Sequence, residues 1–225
     1  MNTTALENLF ADIRIQEGLN ACMNCGICTA ICPAAEYYEY DPRSIVTTVL
    51  SRNAERIGDL LRSEQIWYCG QCMSCKTRCP RNNCPGQIIS ALRLASQETG
   101  AFTASKKGRQ QYFIRQVIGN NILNHGYCLH PTSILPSDHP EQGTVWNWVH
   151  ENMQDVYDVM GANLGKDGPG ALRKIPEAAL DELRAIFEHT GNNDLFDSID
   201  SHSKQKADEL GLADMDAYME FILNE

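Results

Sequence analysis

The sequence predicts a mainly α-helical protein, and three observations carry that reading. Apolar residues recur at three- and four-residue spacing in several stretches. Helix-starting and helix-ending residues bracket those stretches. Period-two alternation, the mark of a half-buried strand, is weak throughout.

The elements follow in chain order. Residues 1–21 read as a short helix, with Leu6, Leu9, Phe10 and Ile13 at helical spacing. Asp41-Pro42 is a helix start. The aspartate can accept a free backbone N–H, and the proline occupies the first turn, where no N–H is needed. Ile45, Val46, Val49, Leu50 and Ile57 then share a face, and Gly58 is expected to end that helix. Ser63 is placed to cap a second short helix, EQIWY. Pro85 and Gly86 open another, with Ile88, Ile89, Leu92 and Ala95 inward and Gly100 after it. Further on, Pro176 opens EAALDELRAIFEHT and Gly191 closes it, while Asp214 caps MDAYMEFILNE. The stretches 128–143 and 161–170 are rich in Pro, Gly, Ser and His and read as loops. The expected organisation is a cysteine-bearing domain over 1–100 and a helical, acidic extension over 101–225, suited to docking a partner.

Composition narrows the function classes. The chain has 225 residues, 43 % hydrophobic and 21 % charged, which argues against wholesale disorder. There is no run of 18 apolar residues, so no membrane span is expected, and MNTTALENLFADIR lacks the basic start and apolar run of a secretory signal. The expected location is the cytoplasm. Net charge is −10 but uneven: residues 141–225 carry 18 acids against 6 bases. Within 76–115 there are eight bases (Lys76, Arg78, Arg81, Arg93, Lys106, Lys107, Arg109, Arg115) against one acid, Glu98. That stretch is either a solvated face or a docking face for an acidic partner. Nucleic acid is a poor fit to an acidic chain with no nucleic-acid-binding motif.

Ten cysteines in a reducing compartment need a reason other than disulfides. Eight fall in two stretches, CMNCGICTAIC at 22–32 and CGQCMSCKTRC at 69–79, each followed by proline. Both read C-x2-C-x2-C-x3-C-P. The first three cysteines of such a run curl the backbone around one iron–sulfur cube. The fourth turns away and, in two-cluster proteins, ligates the other cube. The duplicated spacing therefore assigns Cys22, Cys25, Cys28 and Cys79 to one [4Fe-4S] cluster and Cys69, Cys72, Cys75 and Cys32 to a second. Zinc sites more often show two separated C-x2-C pairs, which this spacing fits badly. Such clusters transfer single electrons, so no catalytic residue is expected on this chain.

The remaining features carry less. Cys84, in CPRNNCPG, reads as a buried apolar residue, and Cys128, near His125 and His130, is short of a full metal set. GKDGPG at 165–170 lacks the Gly-Lys-Ser/Thr of a phosphate cradle, and no dinucleotide fingerprint is present, so flavin or nicotinamide must belong to another chain. Tyr37, Tyr38 and Tyr40 follow the first Cys-Pro, and Trp67 and Tyr68 precede the second motif. Core packing and shielding of a cluster explain these aromatics equally well.

ACMNCGICTAICP, then DPRSIV, then SEQIWYCGQCMSCKTRCPRN resembles the C subunit of heterodisulfide reductase over about residues 8–100. The resemblance implies the α-helical ferredoxin fold and a place in a complex. The implied partners are a flavin-containing protein like the family's A subunit and a cysteine-rich protein like its B subunit, with electrons passing between them through the C subunit. Two features depart from the family: RNNCPG after Cys79, and a longer acidic extension. The resemblance also extends to bacterial sulfur-oxidation complexes of this type, where electrons would leave a bound sulfur substrate. A relay for another flavin dehydrogenase feeding a quinone is the alternative. A cluster-based sensor or scaffold is the alternative of another class, and it would call for an effector domain that 101–225 does not suggest.

Overall fold

The computed structural model describes residues 2–225. Among them there are helices, turns and loops but no strand, and no helix long and apolar enough to cross a membrane. The chain divides into two compact units: Met1–Gln111 with Ser198–Leu212, and Tyr112–Asp197 with Ala213–Glu225.

The first unit begins with α1 (Thr3–Ala11) and α2 (Ile13–Gly18) rather than one helix. Asp12 breaks the run. Its backbone is extended, and its carboxylate accepts the Arg14 N–H, capping α2. The break shifts the helical phase, so Ile15 is buried and Ile13 is exposed. Two short helices, α3 (Ile27–Ala30) and α4 (Ala34–Tyr37), follow the first cysteine loop. Next comes α5 (Pro42–Leu50), capped by Asp41 with Pro42 in its first turn. It stops at Leu50, not at Gly58. Arg52 adopts a left-handed conformation and Asn53 caps a new helix, α6 (Ala54–Arg62), in whose interior Gly58 is buried. A strong cap five residues earlier overrides a glycine that could have ended the helix. Ser63 ends α6, and the expected EQIWY helix shrinks to one 3-10 turn, Gln65–Trp67. After the second cysteine loop come α7 (Ser74–Arg78) and α8 (Pro85–Glu98).

Helix α8 is the hub of this unit. Ile88, Ile89 and Leu92 are fully buried against Ile45, Val46 and Val49 of α5, Ile57 and Leu61 of α6, and Leu9 and Ile15 of α1 and α2. Each such side chain contributes roughly 2 kcal/mol by leaving water. Gly100, at φ +73°, ends the α8 run in the left-handed conformation that glycine adopts without strain. Phe102 is buried in this unit and meets the His202 ring edge-on.

The second unit contains α9 (Gly143–Glu151), α10 (Met153–Val159), α11 (Glu177–His189) and α12 (Met215–Asn224). Asp214 caps α12 through the Ala217 N–H, and Gly191 turns the chain after α11 at φ +75°. Tyr218 and Ile222 of α12 are fully buried, with Tyr218 meeting Tyr112 at a ring separation of 5.6 Å. Arg184 of α11 donates to the Leu123 carbonyl.

Candidate functional site

Both cysteine loops repeat one backbone shape. The second residue after the leading cysteine is left-handed in each: Asn24 at φ 59° and Gln71 at φ 53°. The fourth is left-handed as well: Gly26 at φ 76° and Met73 at φ 58°. These reversals wind the loop into a curl. As a result the Asn24 N–H donates to Cys22 Sγ, and the Gln71 N–H to Cys69 Sγ, both at 3.4 Å.

Neighbouring segments hold the curls. The chain on either side of α2 and α8 is clasped: the Cys84 N–H donates to the Gly18 carbonyl at 2.8 Å, and the Asn20 N–H donates to Asn83 Oδ1 at 2.7 Å. Arg81 Nε adds a bond to the Ala21 carbonyl. This clasp brings Cys79 to the first curl across the intervening sequence. The Thr29 hydroxyl, next to Cys28, donates to Asp41, which also pairs with Arg43. The cap of α5 thus anchors the first loop. At the second loop, Arg93 of α8 donates to the carbonyls of Ile66, Trp67 and Cys69.

The structure places Cys22, Cys25, Cys28 and Cys79 around one cavity. It places Cys32, Cys69, Cys72 and Cys75 around another. All ten cysteines are free of disulfides. Each cavity has three thiols from one motif and the fourth from the other. Among the described residues, no three His, Cys, Asp or Glu side chains come close enough together to hold a single metal ion. Four soft sulfur donors spread around an open space suit a polynuclear iron–sulfur group better than one tetrahedral zinc. Much of the remaining wall is apolar: Ile27, Met23 and Val46 at the first cavity, Ile89, Pro33 and Pro42 at the second, with Pro85 bordering both.

Burial pushes the Cys28 and Cys75 thiols up, while the Ser74 hydroxyl beside Cys72 pulls that thiol down. Burial, and then the neighbouring Cys69 sulfur, hold the Tyr40 hydroxyl well above the ordinary phenol range.

Cys84 is buried, 3.8 Å from Met73 Sδ, and borders neither cavity. Cys128 is exposed, beside the stacked rings of His125 and His130. Of the eight bases in 76–115, five are engaged within the fold. Arg81, Arg93 and Arg109 donate to backbone carbonyls, Lys107 lies over the Tyr38 and Tyr68 rings, and Arg115 lies over the Phe196 ring. The aromatics separate clearly. Tyr37 and Tyr38 are exposed, whereas Tyr40 is buried and lines the second cavity. Arg43, Arg81 and Asn83 line the first cavity. The cysteine spacing alone does not point to any of these wall residues.

A family model described as a 4Fe-4S dicluster domain matches residues 18–83. The chain is 33 % identical over 190 residues to the C subunit of the ferredoxin:CoB-CoM heterodisulfide reductase of Methanosarcina acetivorans, covering 84 % of this chain and 69 % of that protein. It is 33 % identical over 101 residues to the second iron-sulfur C subunit of the CoB–CoM heterodisulfide reductase of Methanocaldococcus jannaschii, covering 45 % of this chain and 52 % of the relative. It is 30 % identical over 97 residues to the C2 subunit of the H2/formate:CoB-CoM heterodisulfide,ferredoxin reductase of Methanococcus maripaludis, covering 43 % and 50 %. The chain spans about half the length of these last two relatives. The match to the first is long enough to run past the cysteine loops into the acidic extension.

Proposed function

Because the chain belongs to the family of heterodisulfide reductase C subunits and is an iron–sulfur electron-transfer subunit, we propose that it relays single electrons between two partner proteins. One partner carries flavin, as the family's A subunit does. The other is cysteine-rich and acts on thiols and disulfides, as the B subunit does. The observation behind this reading is the crossed grouping of thiols, three from one motif and one from the other around each cavity.

In this reading Cys22, Cys25, Cys28 and Cys79 hold one [4Fe-4S] cluster, and Cys69, Cys72, Cys75 and Cys32 hold the second. Bound there, such clusters accept and release one electron at a time. The protein's own groups do the rest. Backbone N–H groups of Asn24, Gln71 and Asn83 donate to the sulfurs of Cys22, Cys69 and Cys79, which fixes each sulfur's direction. The apolar parts of the walls lower the dielectric beside the sulfurs. Arg43 and Arg81 place positive charge beside the first cavity.

Residues 1–100 serve as the cluster domain and the acidic 101–225 as the docking extension. The work is cytoplasmic, and bond chemistry belongs to the thiol-active partner. In the finer reading, that partner oxidises a bound sulfur compound and the electrons leave through this chain.

Purification without oxygen tests the core of the reading. The expected result is a brown protein with about eight irons and as many acid-labile sulfides per chain, four for each cluster. A colourless preparation loaded with zinc would overturn it. Mixing the reduced chain with its two candidate partners, and following cluster oxidation optically, tests the relay.

A further inference from the structure

Four buried hydrogen-bond donors in the cysteine-bearing unit lack a well-formed hydrogen bond, and two of them, on Tyr40 and Asn83, each line a different cavity. Tyr40 is only 5 % exposed, and its hydroxyl is buried with the Cys69 sulfur beside it but no acceptor in good hydrogen-bond geometry. It lines the cavity bordered by Cys32, Cys69, Cys72 and Cys75. Asn83 is 2 % exposed, and its Nδ2 is likewise buried without an acceptor. It lines the cavity bordered by Cys22, Cys25, Cys28 and Cys79. The Asn83 orientation is set by the Asn20 N–H, which needs the amide oxygen and so leaves Nδ2 as the unused end.

Buried donors are nearly always satisfied, so an orphan calls for an acceptor that arrives later. Water is a poor candidate at Tyr40, because a buried water needs two to four polar partners. Besides its four cysteine sulfurs and Ser74, that cavity is walled mainly by Pro33, Pro42, Pro85 and Ile89. Sulfurs are the most numerous acceptors on its side-chain lining. Aromatic packing fixes the ring: Tyr40 meets Tyr68 edge-on at 6.1 Å, and Tyr68 stacks on Tyr38 at 4.3 Å. The phenol is therefore held in place before any ligand enters.

Resting on the iron–sulfur reading above, we propose that Tyr40 donates a hydrogen bond from its hydroxyl to a sulfur of the group held by Cys32, Cys69, Cys72 and Cys75, and thereby raises that group's reduction potential. A reduced iron–sulfur group carries more negative charge on its sulfurs than an oxidised one, so a donor stabilises it more. Tyr40 is thus a positioning residue that sets where the electron rests. Asn83 has the same relation to the other cavity.

The test is Tyr40→Phe in the full chain, purified without oxygen beside the wild type. Iron and sulfide are counted, and both potentials are read by titration followed with electron paramagnetic resonance. Cys72→Ser, run in parallel, identifies the signal of the second cavity. The expected result is unchanged iron, one potential lowered by about a tenfold change in the one-electron equilibrium, roughly 59 mV, and the other unmoved. Two unchanged potentials with full iron overturn the proposal. So does loss of the second-cavity group, which would make the hydroxyl an assembly requirement. A wild type without iron would instead sink the iron–sulfur reading itself.

Discussion

Arg93 Nη2 donates to the Cys69 carbonyl at 2.6 Å, and the same guanidinium reaches the carbonyls of Ile66 and Trp67. One side chain on the central helix therefore holds the whole lead-in to the second cysteine loop. Arg93→Met should destabilise the protein by about 2–3 kcal/mol, the range for charge-assisted hydrogen bonds lost at a half-buried site. Arg93→Lys should rescue only part of this, because one ammonium cannot span three carbonyls as a planar fork does. Urea denaturation of the three proteins, compared by midpoint and slope, checks both.

Cys79 is the fourth thiol at the cavity of the first motif, across the clasp between residues 18–21 and 81–84. Cys79→Ser should damage the group bordered by Cys22, Cys25 and Cys28 and leave the signal of the other. Cys84→Ala should leave the iron count unchanged, since Cys84 borders neither cavity. Iron analysis with low-temperature electron paramagnetic resonance distinguishes these outcomes. A drop of about four irons in Cys84→Ala would make that thiol a ligand.

Gly26 adopts φ +76°, and a Cβ built there meets nothing within 4 Å. Gly26→Ala should therefore cost only backbone strain, about 1–2 kcal/mol. Gly86→Ala should behave differently, because its Cβ would fall 2.7 Å from Met73 Sδ at the wall of the second cavity. Thermal melts should show a loss for Gly26→Ala that leaves the second-cavity spectrum intact. Gly86→Ala should perturb that spectrum.

Arg14, bonded to Asp12 at the start of α2, holds the Asp12 carboxyl below the usual carboxylate range, with burial working the other way. A carboxyl lowered in the folded state stabilises the fold above its unfolded pKa, and that stabilisation is lost as pH falls through the folded value. Asp12→Asn should thus be less stable than wild type by about 0.5–1 kcal/mol at neutral pH. The gap should close progressively below about pH 4. Denaturation midpoints across that range provide the check.

Helix starts were legible because a cap is a local chemical event. Asp41-Pro42, Pro85 and Asp214 each announce one, and each begins a helix. Helix breaks were less legible. Asp12 and Asn53 are ordinary polar residues until their side chains turn back on the next N–H groups, and only the folded chain shows that they do. Of the candidate site, the eight cysteines stand out from their spacing. The walls do not, because Tyr40 is one of three nearby tyrosines that differ only in burial, and Asn83 reads as one of two adjacent turn asparagines. What distinguishes Tyr40 and Asn83 is a hydroxyl and an amide nitrogen without a well-formed hydrogen bond on a cavity wall, a property of packing rather than of composition.

Pro85 borders both cavities, so a single pyrrolidine ring forms part of the partition between them. If both cavities hold the clusters proposed above, charge added to one raises the cost of charge added to the other across that shared ring. The proposed relay would then act as a turnstile, passing electrons singly.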